Sequence, residues 1–176
     1  MSTQGLGIFG VASKAAYGSA VVSAVGVLFL LLMYAGFLLP AKGLLVFGPL
    51  NDACVLLQYL LALPLVFAFH RLPVQVSPRL RIVALTIGLS GILGAVVLQA
   101  LLLVGLLSFR EQIAYASLSV LLVGVWILLT GLLALGSSLG GMTVRLRILA
   151  ALYFGYPFWA YRVGQQLELH RRATES

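Results

Sequence analysis

Residues 82–109 read IVALTIGLSGILGAVVLQALLLVGLLSF, an uncharged run closed at its ends by Arg81 and Arg110. About 20 consecutive apolar residues are enough for a helix to cross the hydrocarbon layer of a bilayer. This run is long enough to do so with tilt.

The same pattern repeats outward from it. Between Ala15 and Leu139 the charged residues are Lys42, Asp52, Arg71, Arg79, Arg81, Arg110 and Glu111, and they fall in short clusters between apolar runs. A first span is expected from about Tyr17 to Leu39, stopped by Pro40 and Lys42. A second runs from about Asn51 to Phe69, with Pro64 inside it as a source of a kink. The third is Ile82–Phe109, and the fourth runs from about Ile113 to Leu139. The stretch Lys42–Leu50 is short and apolar, whereas His70–Arg81 (HRLPVQVSPRLR) is the clearest extramembrane loop. Arg110, Glu111 and Gln112 read as a tight turn, which makes the third and fourth helices antiparallel neighbours.

The expectation is an all-α integral membrane protein. It is a bundle of four transmembrane helices plus a fifth short aromatic helix that spans, re-enters or lies at the interface. Residues 1–14 form a cytoplasmic N-terminal segment, 15–141 the bundle, and 142–176 the aromatic helix and a basic tail. The fifth helix is the run Ile148–Tyr161, about 14 residues and short for a crossing. It carries Tyr153, Tyr156, Trp159 and Tyr161, residues of the kind that sit at headgroup level. The first apolar run is too long for a cleaved signal core, so it reads as a span.

Composition agrees. Of 176 residues 62% are hydrophobic and 9% charged, with a mean hydropathy of +1.13. A soluble domain averages about a quarter charged residues, so lipid must face much of this surface. The net charge of +7 does not point to nucleic acid, because the basic residues are spread over the ends of apolar runs rather than gathered in a reading patch. Cytoplasmic loops enriched in Lys and Arg account for the excess. With four spans and the N-terminus inside, Lys14, Arg71, Arg79, Arg81, Arg145, Arg147, Arg162, Arg171 and Arg172 lie inside, and only Lys42 and Arg110 outside. A fifth span moves Arg162, Arg171 and Arg172 outside and nearly erases the bias. The single cysteine, Cys54, allows neither an intramolecular disulfide nor a thiolate cluster.

Few side chains can carry chemistry. Asp52 is the one carboxylate beside a span, and an intramembrane carboxylate is a functional candidate by default. Its plainer role, and the preferred one, is to start the second helix together with Asn51 and Pro49. Tyr59 lies seven residues on, on the same helical face. Gln58 and Gln99 stand well inside spans two and three, either lining a ligand cavity or bonding helix to helix. His70 is a weak candidate for ligating haem or chlorophyll magnesium; an interfacial cap is the plainer reading. Arg110 and Glu111 read as a solvated pair contributing little. No HExxH, GxSxG or Walker pattern occurs, and no metal-binding set is indicated.

The most informative feature within the helices is small residues. Ala84, Gly88, Gly91, Gly94 and Ala95 recur at spacings of three and four, which lets another backbone approach closely. The fourth span has Gly124, Gly131, Ala134 and Gly136 with Trp126 among them, and the two faces are expected to pack on each other or equally to dock an outside partner.

In the C-terminal third, GVWILLTGLLALGSSL and LRILAALYFGYPFWAYRVGQQL (with Tyr156, Pro157, Trp159, Ala160 and Gly164) resemble small multi-spanning prokaryotic membrane proteins of unknown function. The resemblance implies an all-helical fold in a prokaryotic inner or plasma membrane and carries over no catalytic residue.

Three functions are then weighed. The preferred one is a non-catalytic accessory or structural subunit, its partners being lipids and a protein of a membrane complex or a second copy. The second is a small-molecule or ion carrier with a polar site of Asp52, Gln58, Tyr59 and Gln99. The third is an intramembrane enzyme on a lipid-like substrate, for which only Asp52 and His70 qualify.

Overall fold

The computed structural model describes residues 3–39, 42–71 and 77–135, together with Ala160, Tyr161, Gly164, Gln165, Glu168, Leu169, Arg171 and Arg172. Four long helices carry the described chain: α1 (Thr3–Leu38), α2 (Phe47–Arg71), α3 (Pro78–Leu103) and α4 (Phe109–Leu135). A single 3-10 segment, Lys42–Val46, leads into α2. All four helices are long and apolar enough to cross a membrane. The expected aromatic run Ile148–Tyr161 lies almost wholly outside the described residues.

The helix ends differ from the sequence expectation, and each difference has a local cause. Helix α2 begins at Phe47, so Asn51 and Asp52 sit in its second turn rather than at its cap. Pro49 falls in the first turn, where its missing N–H would have had no helical partner anyway. Helix α2 then continues through Pro64. Helix α3 starts at Pro78, with Ser77 as cap and its hydroxyl accepting from the Leu80 amide at 3.3 Å.

The turn between α3 and α4 is Val104–Ser108, not Arg110–Gln112. Gly105 has φ +74°, and the amides of Gly105 and Leu106 return to the carbonyls of Leu102 and Leu101. This is the Schellman closure, which favours glycine because a Cβ is strained at positive φ. Ser108 and Glu111 then exchange bonds: the Ser108 amide donates to Glu111 Oε2 at 2.9 Å, and the Glu111 amide donates to Ser108 Oγ at 3.4 Å. That reciprocal pair is a capping box.

Successive helices are antiparallel neighbours, and each packs mainly on the next in sequence. Among the described residues α1 and α4 do not form a packed pair, so the four helices pack as successive neighbours α1–α2, α2–α3 and α3–α4. Trp126 of α4 meets Phe69 of α2 edge-on, with ring centroids 6.0 Å apart. The alternation gives the molecule two ends. One holds the start of α1, the end of α2 and the start of α3, with Lys14, Arg71, Arg79 and Arg81. The other holds the end of α1 and the α3–α4 turn.

Helix α1 is 36 residues long, about 54 Å at 1.5 Å per residue, well beyond the roughly 30 Å hydrocarbon layer. Its early turns, expected as a separate segment, belong to the same helix. Phe9, Ala12, Ser13 and Ala16 are buried there at helical spacing. The C-terminal residues help to cover them. Ser13 Oγ donates to the Gly164 carbonyl at 2.9 Å, and Tyr17 meets Tyr161 edge-on at 5.4 Å. The Arg171 stem lies beside Gly10. Tyr161 thus pairs with Tyr17 and Arg171 with Gly10, so this part of the chain runs antiparallel to α1 and ends at the arginine-rich end. Glu168 is held there by Arg171 and Arg172 at 2.8 and 3.0 Å, which pull its carboxyl down to about 2.

Candidate functional site

Lipid is as apolar as leucine, so helices in a membrane gain little from hiding apolar side chains from each other's solvent; close packing and interhelical hydrogen bonds decide. The interior polar residues therefore locate any site. They form two groups at different interfaces.

The first group joins α2, α3 and α4 near the α3–α4 turn. Gln112 Nε2 donates to Gln99 Oε1 at 2.7 Å, with Gln99 4% and Gln112 8% exposed. Gln99 also stands near the half-buried Asp52 of α2, beyond hydrogen-bonding distance. Its own amide nitrogen is buried and has no partner at hydrogen-bonding distance. Asp52 and Gln99, two of the four expected ligand residues, are thus brought together, and Gln112 joins them unforeseen. The signal for Gln112 was its position one turn into α4, opposite the last turns of α3.

The other two expected residues go elsewhere. Gln58 is six residues from Asp52, about 240° further round the helix at 100° per residue, and it faces α1. There the Ser19 hydroxyl donates to the Gln58 main-chain carbonyl at 3.3 Å. Asn51 also turns to α1, its buried Oδ1 beside Gly26. Tyr59 does share the Asp52 face, two turns along, where it packs against apolar core.

His70 lies at the far end of α2, about 27 Å from Asp52 along the axis at 1.5 Å per residue. An enzyme needing both groups at one substrate is not supported by that separation. His70 borders a cleft with Phe69, Arg81, Leu85, Trp126 and Thr130, which holds no more than a water molecule. Its Nδ1 is buried without a hydrogen bond. A porphyrin does not fit that cleft. His170, the other imidazole, lies outside the described residues. No group of three His, Cys, Asp or Glu that could hold a metal ion stands together among the described residues.

The small-residue face of α3 is used in full. A Cβ on Gly88 would lie 2.6 Å from Trp126, one on Gly91 2.9 Å from the Val123 backbone nitrogen, and one on Gly94 2.7 Å from Ser119 Oγ. Ala84 and Ala95 are buried beside them. The answering residues on α4 are Gln112, Ser119, Val123, Trp126 and Thr130, and not Gly124. Gly124 corrects the expectation: it is exposed, with nothing within 4 Å of a Cβ built there. It follows Val123 by one residue, which turns it about 100° off the packed face. The surroundings of Gly131 lie outside the described residues.

The sequence also held one unread signal, Ser108-Phe-Arg-Glu111, the S-x-x-E spacing of a capping box. Compared with protein-family models, curated proteins and solved structures, the chain matches none of them.

Proposed function

We propose that this chain is a non-catalytic accessory or structural subunit, held in a cell membrane by four crossing helices. The observation that carries the reading is how the interior polar groups are used. Gln112 bonds Gln99, Ser19 bonds the α2 backbone, and Thr130 bonds the Trp126 carbonyl of its own helix at 2.8 Å. Tight packing at the glycines leaves the α3–α4 interface no passage. Meanwhile the outer faces of α1 and α4 present Val21, Leu28, Leu31, Leu118, Leu121 and Leu128 to the surroundings, as a protein embedded in lipid and partner helices requires. The gathering of Lys14, Arg71, Arg79 and Arg81 at one end supports a cytoplasmic N-terminus under the positive-inside rule.

Crosslinking in native membranes followed by mild-detergent purification and mass spectrometry tests this. A stoichiometric partner is the expected result. A stable lone monomer, with nothing crosslinked, removes the reading.

A second reading has one observation in its favour: Asp52, Gln99 and Gln112 meet, and the Gln99 amide nitrogen is left without a bond. A small polar or cationic solute taken up at that end of the helices suits a carboxylate flanked by amides. Asp52→Asn and Gln99→Leu should then abolish uptake by proteoliposomes; unchanged uptake ends it.

A further inference from the structure

Lys14, Arg71, Arg79 and Arg81 share one end of the molecule, and carboxylates are scarce there. The acidic side chains of the chain are Asp52, Glu111, Glu168 and Glu175. Asp52 and Glu111 belong to the opposite end. Glu168 is engaged by Arg171 and Arg172, and Glu175 lies outside the described residues.

The corner between α2 and α3 concentrates this charge. Arg71 closes α2, and Arg79 sits in the first turn of α3; both are exposed. Arg81 stands half-buried beside the His70 cleft. The start of a helix carries the positive end of its dipole, which favours anions and opposes cations. Arginines in the first turn of α3 therefore work against the helix they belong to. An anion at this corner answers the dipole and the guanidinium groups together. Guanidinium pairs with phosphate oxygens through two parallel hydrogen bonds.

What lies beneath the charge fixes the kind of anion. From Arg79 an exposed stripe runs along α3 at spacings of three and four, through Ile82 and Val83, Thr86, Ser90, Leu93 and Val97. A cationic head over a track that is apolar but for the small hydroxyls of Thr86 and Ser90, and that follows a crossing helix, matches the shape of a phospholipid. A zwitterionic headgroup brings its own cation and would repel this corner, so net negative charge is selected.

We infer that the α2–α3 corner is a binding site for an anionic phospholipid, with the phosphate at Arg71 and Arg79 and an acyl chain along the outer stripe of α3. Native mass spectrometry of the full chain, given equal phosphatidylglycerol and phosphatidylcholine, tests it. The wild type should retain phosphatidylglycerol several-fold over phosphatidylcholine. Arg71→Gln with Arg79→Gln should bring the ratio near one. Lys14→Gln with Arg172→Gln removes the same charge from the same end and should keep the preference. Arg79→Gln alone, with its melting temperature checked in phosphatidylcholine, keeps the test readable if the double variant unfolds. Equal retention of both lipids by the wild type overturns the inference. So does equal loss in the two double variants, which marks a general charge effect, or displacement by millimolar inorganic phosphate, which marks a free-anion site.

Discussion

The α1–α2 and α3–α4 pairs are both antiparallel and both lined with small residues, yet they are joined differently. Between α1 and α2 the glycines are packed less tightly, and the nearest approach is 3.0 Å, from a Cβ on Gly48 to Met33 Sδ. A Cβ on Gly18 would meet only the tip of Leu61 at 3.4 Å, and one on Gly26 would lie 3.1 Å from Cys54 Cβ. Buried Ser19 and Ser23 supplement them. Between α3 and α4 the distances fall to 2.6–2.9 Å, and the contact at Gly91 includes main chain. A small-residue stripe does not by itself mean close approach. What fills the other side decides it, and here that is Trp126, 1% exposed, set flat over Gly88.

The sharpest way to break this contrast is Gly91→Ala. The added methyl meets backbone, and overpacking of this kind costs about 1–3 kcal/mol. The thermal midpoint in detergent should drop clearly, while Gly18→Ala stays within about 0.5 kcal/mol of wild type. Equal effects at the two sites would erase the distinction. Next in size is Gln99→Leu, which leaves the Gln112 amide without its partner. Interhelical hydrogen bonds in membranes average about 0.6 kcal/mol, with a maximum near 1.7, so a loss of about 1 kcal/mol is expected in a reversible unfolding assay. No loss would mean that the Gln99–Gln112 bond does not form.

Gly124→Ala is predicted to be neutral or to stabilise by a few tenths of a kcal/mol. It replaces an exposed helical glycine with a better helix former. Destabilisation there would restore Gly124 to an interface. The smallest effect concerns pH. The Glu168 carboxyl is depressed to about 2, so its contribution is complete above its ordinary value of 4.5 and is lost as pH falls through about 2. The Arg171 amide signal in NMR should hold steady down to about pH 4 and move only below it. Movement centred near 4.5 would show that the ion pairs are absent.

Most of the architecture was legible because hydrocarbon thickness sets a length that sequence displays directly. The α3 face was legible too, since Ala84, Gly88, Gly91, Gly94 and Ala95 keep helical spacing. What failed was local. Asn51 and Asp52 read as a cap because both suit one, but Pro49 lets a helix start ahead of them. Gly124 read as packing because it is small, although one residue of offset turns it outward. The early turns of α1 read as a polar tail because Gly and Ser weaken any hydropathy signal. Their partner, Gly164 and its neighbours, lies at the other end of the sequence, where spacing offers no guide. Of the site, Asp52 and Gln99 were legible as rare polar groups. Their meeting with Gln112 depended on helix register, which no single span reveals.

The α3–α4 turn has a consequence for biogenesis. Gly105 and the Ser108–Glu111 exchange close several main-chain groups at the tip of the hairpin before any other part of the protein is needed. Arg110 and Glu111 bring opposite charges to that tip. In the orientation proposed above, carrying it through the hydrocarbon layer means transferring no net charge and fewer bare amides and carbonyls, the groups most resisted there. Such a hairpin suits insertion as one unit, α3 waiting for α4, with the arginines at its base left behind.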